Sequence, residues 1–253
     1  MQESLFIGKN VIQLESIPST NDYVKQLCDK QSVLDGTVVY TTSQTAGRGQ
    51  QGNTWEMEQD AGLALSYFLK PSFLPIEKQF YLNMAVSLAV REFCEHYTER
   101  EVAIKWPNDI LINQKKVAGV LIENTIHGSK IAQTVVGVGI NINQKKFTSE
   151  LAHATSLAIE GDNGVVDFNI KSMLAVMSAY LEKYYLQLRQ TNYQFLSKAY
   201  ITSLWRYHQT QDFYKGNQLL RGEITGIYKD GRIEIDVNGK LHRYAMQEIK
   251  FIY

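Results

Sequence analysis

Cysteine is nearly absent from this 253-residue chain: only Cys28 and Cys94 occur, far apart in sequence. That argues against a disulfide framework and against a thiolate zinc site. Neither charge sign is in excess, since Lys+Arg and Asp+Glu both number 26. A dedicated nucleic-acid binder carries a basic surplus, so nucleic acid is not an expected partner. No apolar run approaches the roughly 20 residues a membrane-spanning helix needs. "MQESLFIGKN" lacks a cationic stretch followed by an apolar one, so no secretory signal is read there. Repeats and low-complexity stretches are missing as well. These absences leave a soluble protein with no membrane partner, and the cytoplasm as its expected location. With 44% hydrophobic and 21% charged residues, the chain suits one large domain, or a large one with a small companion.

The patterning supports the second arrangement. "VIQLE" (11–15), "GTVVYTT" (36–42) and "GLALSYFL" (62–69) read as strands, and "STNDYVKQLCDK" reads as a helix capped by Ser19 or Thr20. Phe80, Met84, Ala85, Leu88, Val90 and Phe93 predict a long amphipathic helix over about 76–97. "EVAIKW", "DILIN", "KVAGVLIENT" and "KIAQTVVGVGININ" are four strands joined by short turns. Such turns force antiparallel pairing, because a parallel return needs a crossover of about a dozen residues. Helices are predicted over 168–189 and 192–206. Beyond Tyr207, "QLLRGEITGIYKDGRIEIDVNGKLHRYAMQEIKFIY" reads as strand, KDG turn, strand, Asn238-Gly239 hairpin, strand and short strand. The expected division is therefore 1–206 for a large domain and 207–253 for a small β-barrel.

"QTAGRGQQGNTW" (44–55) spaces Gly47, Gly49 and Gly52 as G-x-G-x-x-G. In a dinucleotide site the third glycine opens a helix, whose N-terminus meets the pyrophosphate. Here Gly52 is followed by "NTWEMEQDAG", which has no apolar helical stripe. The nicotinamide reading fails. The glycines still let backbone N–H groups approach an anion, and Arg48 adds a planar, permanently charged donor set. A mobile surface loop accounts for the same residues, although Trp55 beside it suggests something to cover.

"IKWPNDILINQKKVAGVLIE" (104–123) gathers Lys105, Asn108, Asp109, Lys115, Lys116 and Gly119 on one hairpin. Pro107-Asn108-Asp109 makes a turn unaided. Lys116 opens an otherwise apolar strand in which Gly119 leaves a gap, an arrangement suited to a phosphate or carboxylate. A solvated turn explains the spacing equally well. "VVGVGININ" (135–143) interrupts an apolar strand with Gly137 and Gly139 and reaches Asn141; close backbone packing is its plainer explanation.

Taken in order, "STN" (19–21), "QTAGRGQQGNTW", "KWPNDILINQKKVAGVLIE" and "GVGININ", followed by a small barrel, closely resemble biotin–protein ligase. The match covers nearly the whole chain, and the KWPND…KKVAG hairpin is its most specific part. The resemblance implies an α+β fold: a mixed, mainly antiparallel sheet backed by helices, of the class II synthetase type, with a C-terminal SH3-like barrel. It implies an ATP-dependent biotin–[acetyl-CoA-carboxylase] ligase with ATP and biotin as substrates, Mg²⁺ as cofactor and biotinyl-5′-AMP as intermediate. The partner is a biotin carboxyl carrier protein or the carrier domain of a biotin-dependent carboxylase.

The resemblance also implies roles. Lys116 bridges biotin's carboxylate and the α-phosphate, Arg48 holds phosphate with the loop N–H groups, and Asp109 orients or deprotonates the acceptor lysine. Ser19, Thr20 and Gln44 bond the ureido ring, with Gly47, Arg48 and Gly119 adding backbone contacts. Gly137 and Gly139 leave room for biotin's apolar part. Gly49, Gln50, Trp55, Lys105, Asn108 and Asn141 join Arg48 and Lys116 around the nucleotide. No metal ligands are assigned.

Two departures from the family pattern carry expectations. Gln50 and Asn53 stand where arginines are usual, so biotinyl-AMP should be held more weakly and leak onto non-cognate amines. Only ten residues precede the first strand, where bifunctional relatives carry a DNA-binding module, so a ligase without repressor activity is expected, as monomer or homodimer. The rival readings are a lipoate–protein ligase or octanoyltransferase on the same fold, and a biotin-sensing regulator.

Overall fold

A computed structural model describes residues 4–161 and 167–252. It opens with β1 (Val11–Gln13), α1 (Thr20–Lys30) and β2 (Val38–Thr41). β1 and β2 pair in parallel, and α1 is the crossover between them. Two very short strands, β3 (Gly47–Arg48) and β4 (Thr54–Trp55), precede β5 (Gly62–Leu69) and α2 (Gln79–Glu95). The meander follows as β6 (Val102–Lys105), β7 (Asp109–Ile112), β8 (Lys115–His127) and β9 (Lys130–Asn141). Then come α3 (Leu157–Glu160), α4 (Ile170–Arg189), α5 (Tyr193–Thr202), β10 (Thr210–Lys215), β11 (Gln218–Ile227), β12 (Ile233–Val237), β13 (Lys240–Tyr244) and β14 (Lys250–Phe251).

The large sheet has the order β1-β2-β5-β9-β8-β7-β6, antiparallel throughout apart from β1–β2. The second sheet, β13-β12-β11-β10-β14, is wholly antiparallel and SH3-like. This is the mixed α+β architecture that the sequence implied. Turn chemistry fixes the registers: Asn113 and Gln114 both take positive φ between β7 and β8, as do Asn238 and Gly239 between β12 and β13. Two consecutive left-handed residues match the twist of a two-residue hairpin. No helix among the described residues is long and apolar enough to cross a membrane.

Three elements differ from the sequence reading. The first turn of the 76–97 helix is a 3₁₀ turn, and the α-helix proper begins at Gln79. The predicted 192–206 helix stops at Thr202, because the following residues turn to pair with the edge of the large sheet. Ile104 N–H donates to the Ser203 carbonyl and Trp205 N–H to the Ile104 carbonyl, each at 2.8 Å. An edge strand left bare would expose unpaired backbone groups, and this segment covers it. The small sheet has five strands rather than four, since "TQDFYK" forms β10 ahead of the expected first strand.

The two faces of the large sheet are built differently. Val38, Leu65, Tyr67 and Val136 face one way into the main core, where α2 and α4 supply Met84, Leu88, Phe93, Met177 and Leu181. Val39, Phe68 and Val135 alternate to the other face and pack with Val24 of α1. Further along that second face the sheet carries small residues. Ala64 pairs with Gly139, Gly139 with Gly119, Gly119 with Asp109, and Asp109 with Lys105. A row running across five strands is therefore low at one end and charged at the other.

Candidate active site

This row is the floor of a cavity of about 600 Å³. Its walls are the start of α1, the β3–β4 hairpin, the β6–β7 turn and the end of the small sheet. The glycines are required by close approach. A Cβ at Gly139 would overlap the Trp55 indole, and one at Gly137 would overlap the Asn21 carboxamide. At Gly119 a Cβ would lie 3.2 Å from Lys116 Cε and 3.3 Å from the Trp55 ring.

At the α1 end the side chains are mostly neutral hydrogen-bonding groups. Ser19 caps the helix by accepting from the Asp22 N–H at 3.3 Å. Thr20 N–H and Oγ1 both donate to Gln44 Oε1, at 2.9 and 3.2 Å. The fully buried Ser66 hydroxyl lies 2.8 Å from Thr20 Oγ1 and 2.6 Å from Asn21 Oδ1.

The glycine loop is tied to this end by charge. Arg48 forms a fork with Asp22, Nη2 to Oδ1 at 2.6 Å and Nε to Oδ2 at 3.1 Å, and reaches Glu123 Oε2 at 3.0 Å. Glu123 also accepts from Lys25 at 2.5 Å and from Asn21 at 2.8 Å. Burial works to raise the Glu123 carboxyl, but the hydrogen bonds from Lys25 and Asn21 and the charges of Lys25 and Arg48 outweigh it and hold it below the usual range. With Arg48 about 40% exposed, these pairs contribute little to global stability. Their effect is to fix where the guanidinium stands.

In the middle of the row, Lys116 Nζ lies 2.6 Å from Asp109 Oδ1 and 5.7 Å from the centre of the Trp55 ring. Next to them is Lys105, mostly buried. Burial pulls its ammonium down to about 8; Asp109 opposes the shift, and the cations Lys116 and Lys250 add to it. Phe251 of the small sheet lies under Lys105, with 5.7 Å from Nζ to the ring centre. Met246, Ile249 and Lys250 complete that wall. The two sheets are joined beside it by Trp106, whose Nε1–H donates to the Gly231 carbonyl at 3.0 Å.

Among the described residues, Arg48 and three lysines, Lys105, Lys116 and Lys250, thus line the cavity with His153 and one carboxylate, Asp109. A lining of this composition on a floor of glycines suits an elongated ligand, neutral and hydrogen-bonding at one end and polyanionic further along. Among the described residues no group of three or more His, Cys, Asp or Glu could hold a metal ion.

A sequence profile of the biotin/lipoate A/B protein ligase family matches residues 13–141, just over half of the chain. The chain belongs to this family. The matched segment holds nearly all of the cavity floor and both lysine-bearing strands. Among curated family members, the bifunctional ligase/repressor BirA of Bacillus spizizenii is 35% identical over 155 residues, 60% of this chain and 47% of that protein. The biotin–[acetyl-CoA-carboxylase] ligase of Mycobacterium tuberculosis is 30% identical over 212 residues, 82% of this chain and 76% of its own. The chain thus spans about half the length of the first of these relatives. The structure of biotin protein ligase from Aquifex aeolicus in complex with biotin and ATP superposes with a TM-score of 0.78 at 27% identity, covering 96% of this chain and 98% of that one.

Of the site residues read from the sequence, all line the cavity except Gly47 and Asn141. Gly47 sits just behind the lining, where any side chain would strike the Trp55 backbone and the Gln44 carboxamide. Asn141 is buried and donates to the Thr155 carbonyl at 3.0 Å, away from the cavity. Asn108 borders the cavity, but its carboxamide is committed to the Val120 carbonyl at 2.7 Å. The space beside Gly137 and Gly139 is taken by Asn21 and Trp55. Asn21, Asp22, Lys25, Glu123 and Lys250 were not singled out. Glu123 was findable: Gly119, Leu121 and Glu123 share one face of β8 by simple alternation.

Proposed function

We propose that this chain is a biotin–protein ligase, joining biotin to ATP and passing it to a lysine of a biotin carboxyl carrier protein. In the first step a carboxylate oxygen of biotin attacks the α-phosphorus of ATP. The bond from that phosphorus to the α–β bridging oxygen breaks, and pyrophosphate leaves with the electron pair. In the second step the acceptor amine attacks the carbonyl of biotinyl-5′-AMP, forming an amide, and AMP departs. The observation that carries this reading is the lining of Arg48 and three lysines against one carboxylate on a glycine floor. Two anions must meet there, and fixed positive charge is what offsets their repulsion. The likeness to the Aquifex enzyme bound to biotin and ATP supports the same substrates.

The chain's own residues divide the work. Ser19, Thr20 and Gln44 offer hydrogen bonds to a ureido ring. Lys116 meets the carboxylate and the α-phosphate, exchanging its bond to Asp109 for them. Mg²⁺ would enter as part of MgATP and screen the phosphate charge, and among the described residues lining the cavity Asp109 is the one carboxylate that could meet it. Biotin-dependent ATP–pyrophosphate exchange, with lipoate and octanoate as controls, tests the first step. Mass spectrometry of a carrier domain incubated with biotin, MgATP and the chain tests the second. Exchange driven by lipoate or octanoate but not by biotin would overturn the reading.

The affinity for ATP should depend on pH through Lys105. Below about 8 its ammonium is charged and attracts phosphate; above that value it is neutral. The KM for ATP is therefore expected to rise as pH passes upward through about 8, and Lys105→Met should flatten the profile at the higher value.

The loop makes a separate prediction. Gln50 and Asn53 line the cavity, and Gln50 Oε1 is buried without a hydrogen-bond partner among the described residues. A charged hydrogen bond to phosphate contributes about 1.5 kcal/mol, or about tenfold in affinity. Gln50→Arg with Asn53→Arg should slow release of biotinyl-AMP about tenfold and reduce biotinylation of bystander amines. Unchanged release measured by stopped-flow would remove the idea.

A further inference from the structure

We infer that Glu160, a buried carboxylate that does not line the cavity, is a positioning residue that sets Lys116 on the cavity floor. The assignment rests on the adenylation proposed above and adds the groups that hold its central lysine in place.

Two observations carry this role. The first is a break in the register of β8. Ile110 of β7 pairs with Ala118, but the next residue, Leu111, pairs with Lys116, which leaves Val117 as an extra residue. In an unbroken strand, residues three apart point to opposite faces. Lys116 would then turn its side chain away from Gly119 and toward the main core. The bulge undoes this. Val117 and Ala118 are both buried in that core, and the end of the Lys116 side chain lies over the floor beside Gly119. A bulge re-aims a side chain in this way, but it disrupts the ladder around it and must be held from elsewhere.

The second observation is what holds it. Ala118 is the last residue at this end of β8 to pair with β9. Beyond it, the segment ahead of α3 takes the free edge. Lys116 N–H donates to the His153 carbonyl at 2.7 Å, and Thr155 N–H donates to the Lys116 carbonyl at 2.8 Å. Glu160 ties this segment to the turn that opens β8. Its Oε1 accepts from the Thr155 hydroxyl at 2.8 Å, and its Oε2 accepts from the Asn113 carboxamide at 3.0 Å and meets Arg100 Nη1 at 3.3 Å. Thr155 and Glu160 are 1% and 5% exposed. A carboxylate buried this deeply is costly unless its oxygens are bonded, and here the bonds run to the two segments that frame the Lys116 backbone.

The test compares Glu160→Met and Glu160→Gln in the full chain. Methionine removes the bonds at similar length. It should lower kcat for biotin-dependent ATP–pyrophosphate exchange about 10- to 100-fold, the range for a displacement of about 1 Å at a reacting group. The KM for biotin should stay within about threefold of the parent. Glutamine can accept from Asn113 and donate to Thr155, so it should restore most of kcat. Should the methionine variant fail to fold, Thr155→Val removes one bond from an isosteric side chain and should lower kcat about tenfold. In a Lys116→Gln background either substitution should change kcat less than about twofold, because the group being positioned is gone; a merely structural defect loses as much in both backgrounds. A kcat within about twofold of the parent, or equal losses in the two backgrounds, overturns the assignment. Deuterium uptake at the Lys116 amide, followed by NMR, reads the clamp without turnover: uptake about tenfold faster in the variant supports it, and equal uptake overturns it. If the parent lacks biotin-dependent exchange while that uptake still depends on Glu160, the ligase reading falls and the clamp stands.

Discussion

Replacing Lys116 with glutamine should lower biotin-dependent ATP–pyrophosphate exchange by about 10²–10³-fold, the range seen when one donor aimed at a developing anion is removed. The size follows from position. Lys116 stands midway along the floor, its Cε and Nζ 3.2 and 3.3 Å from where a Cβ at Gly119 would stand. Arg48 cannot move in, because Asp22 and Glu123 hold it at the α1 end. Glutamine keeps the approximate length and the hydrogen-bonding tip and removes the charge alone. Lys116 is one-third exposed and pairs with Asp109, so the fold should survive. A melting temperature within a few degrees of the parent would confirm that the loss is chemical. Biotin binding alone should weaken less than kcat, since the charge matters most when both anions have arrived. Exchange within threefold of the parent would falsify the central place given to this residue.

The meander from β6 to β9 was legible because each strand alternates and each turn is too short for anything but an antiparallel return. Asn238-Gly239 fixed its hairpin for the same reason. β3 and β4 were not legible, since strands of two residues have no period to detect; the loop's backbone is ordered instead by Arg48 gripping two carboxylates from distant segments. β10 was missed because "TQDFYK" shows one strong apolar inward residue, Phe213, amid polar neighbours. The cavity floor depends on pairing register. Ala64 meets Gly139 and Gly139 meets Gly119 only once β5, β9 and β8 are aligned. Nothing local in "GLALSYFL" reports that. Lys250 is the extreme case, because its approach to Lys105 depends on how the second sheet docks. Charge-bearing residues in turns were recognisable by type; which of them share a wall was a tertiary matter.

Asp109→Asn should separate the two steps. Transfer of biotin from biotinyl-AMP to the carrier is expected to slow by about 10²–10⁴-fold, the usual worth of a positioned general base. An amine with an ordinary lysine pKa of about 10.4 is overwhelmingly protonated near pH 7 and cannot attack until it loses that proton. Asp109 lies 2.6 Å from Lys116 in the unliganded cavity. The α-phosphate of biotinyl-AMP competes for the same ammonium, so its presence releases Asp109 toward the incoming amine. Without the carboxylate the variant must wait for spontaneous deprotonation. Its transfer rate should then climb about tenfold per pH unit up to about 10, while the parent's profile stays flatter. Adenylation follows the opposite logic. Removing the internal competitor leaves Lys116 freer for biotin, so exchange should persist and the KM for biotin should fall or hold steady. Equal losses in exchange and transfer would instead make Asp109 a positioning residue for Lys116, and would leave the acceptor lysine without a base in this cavity.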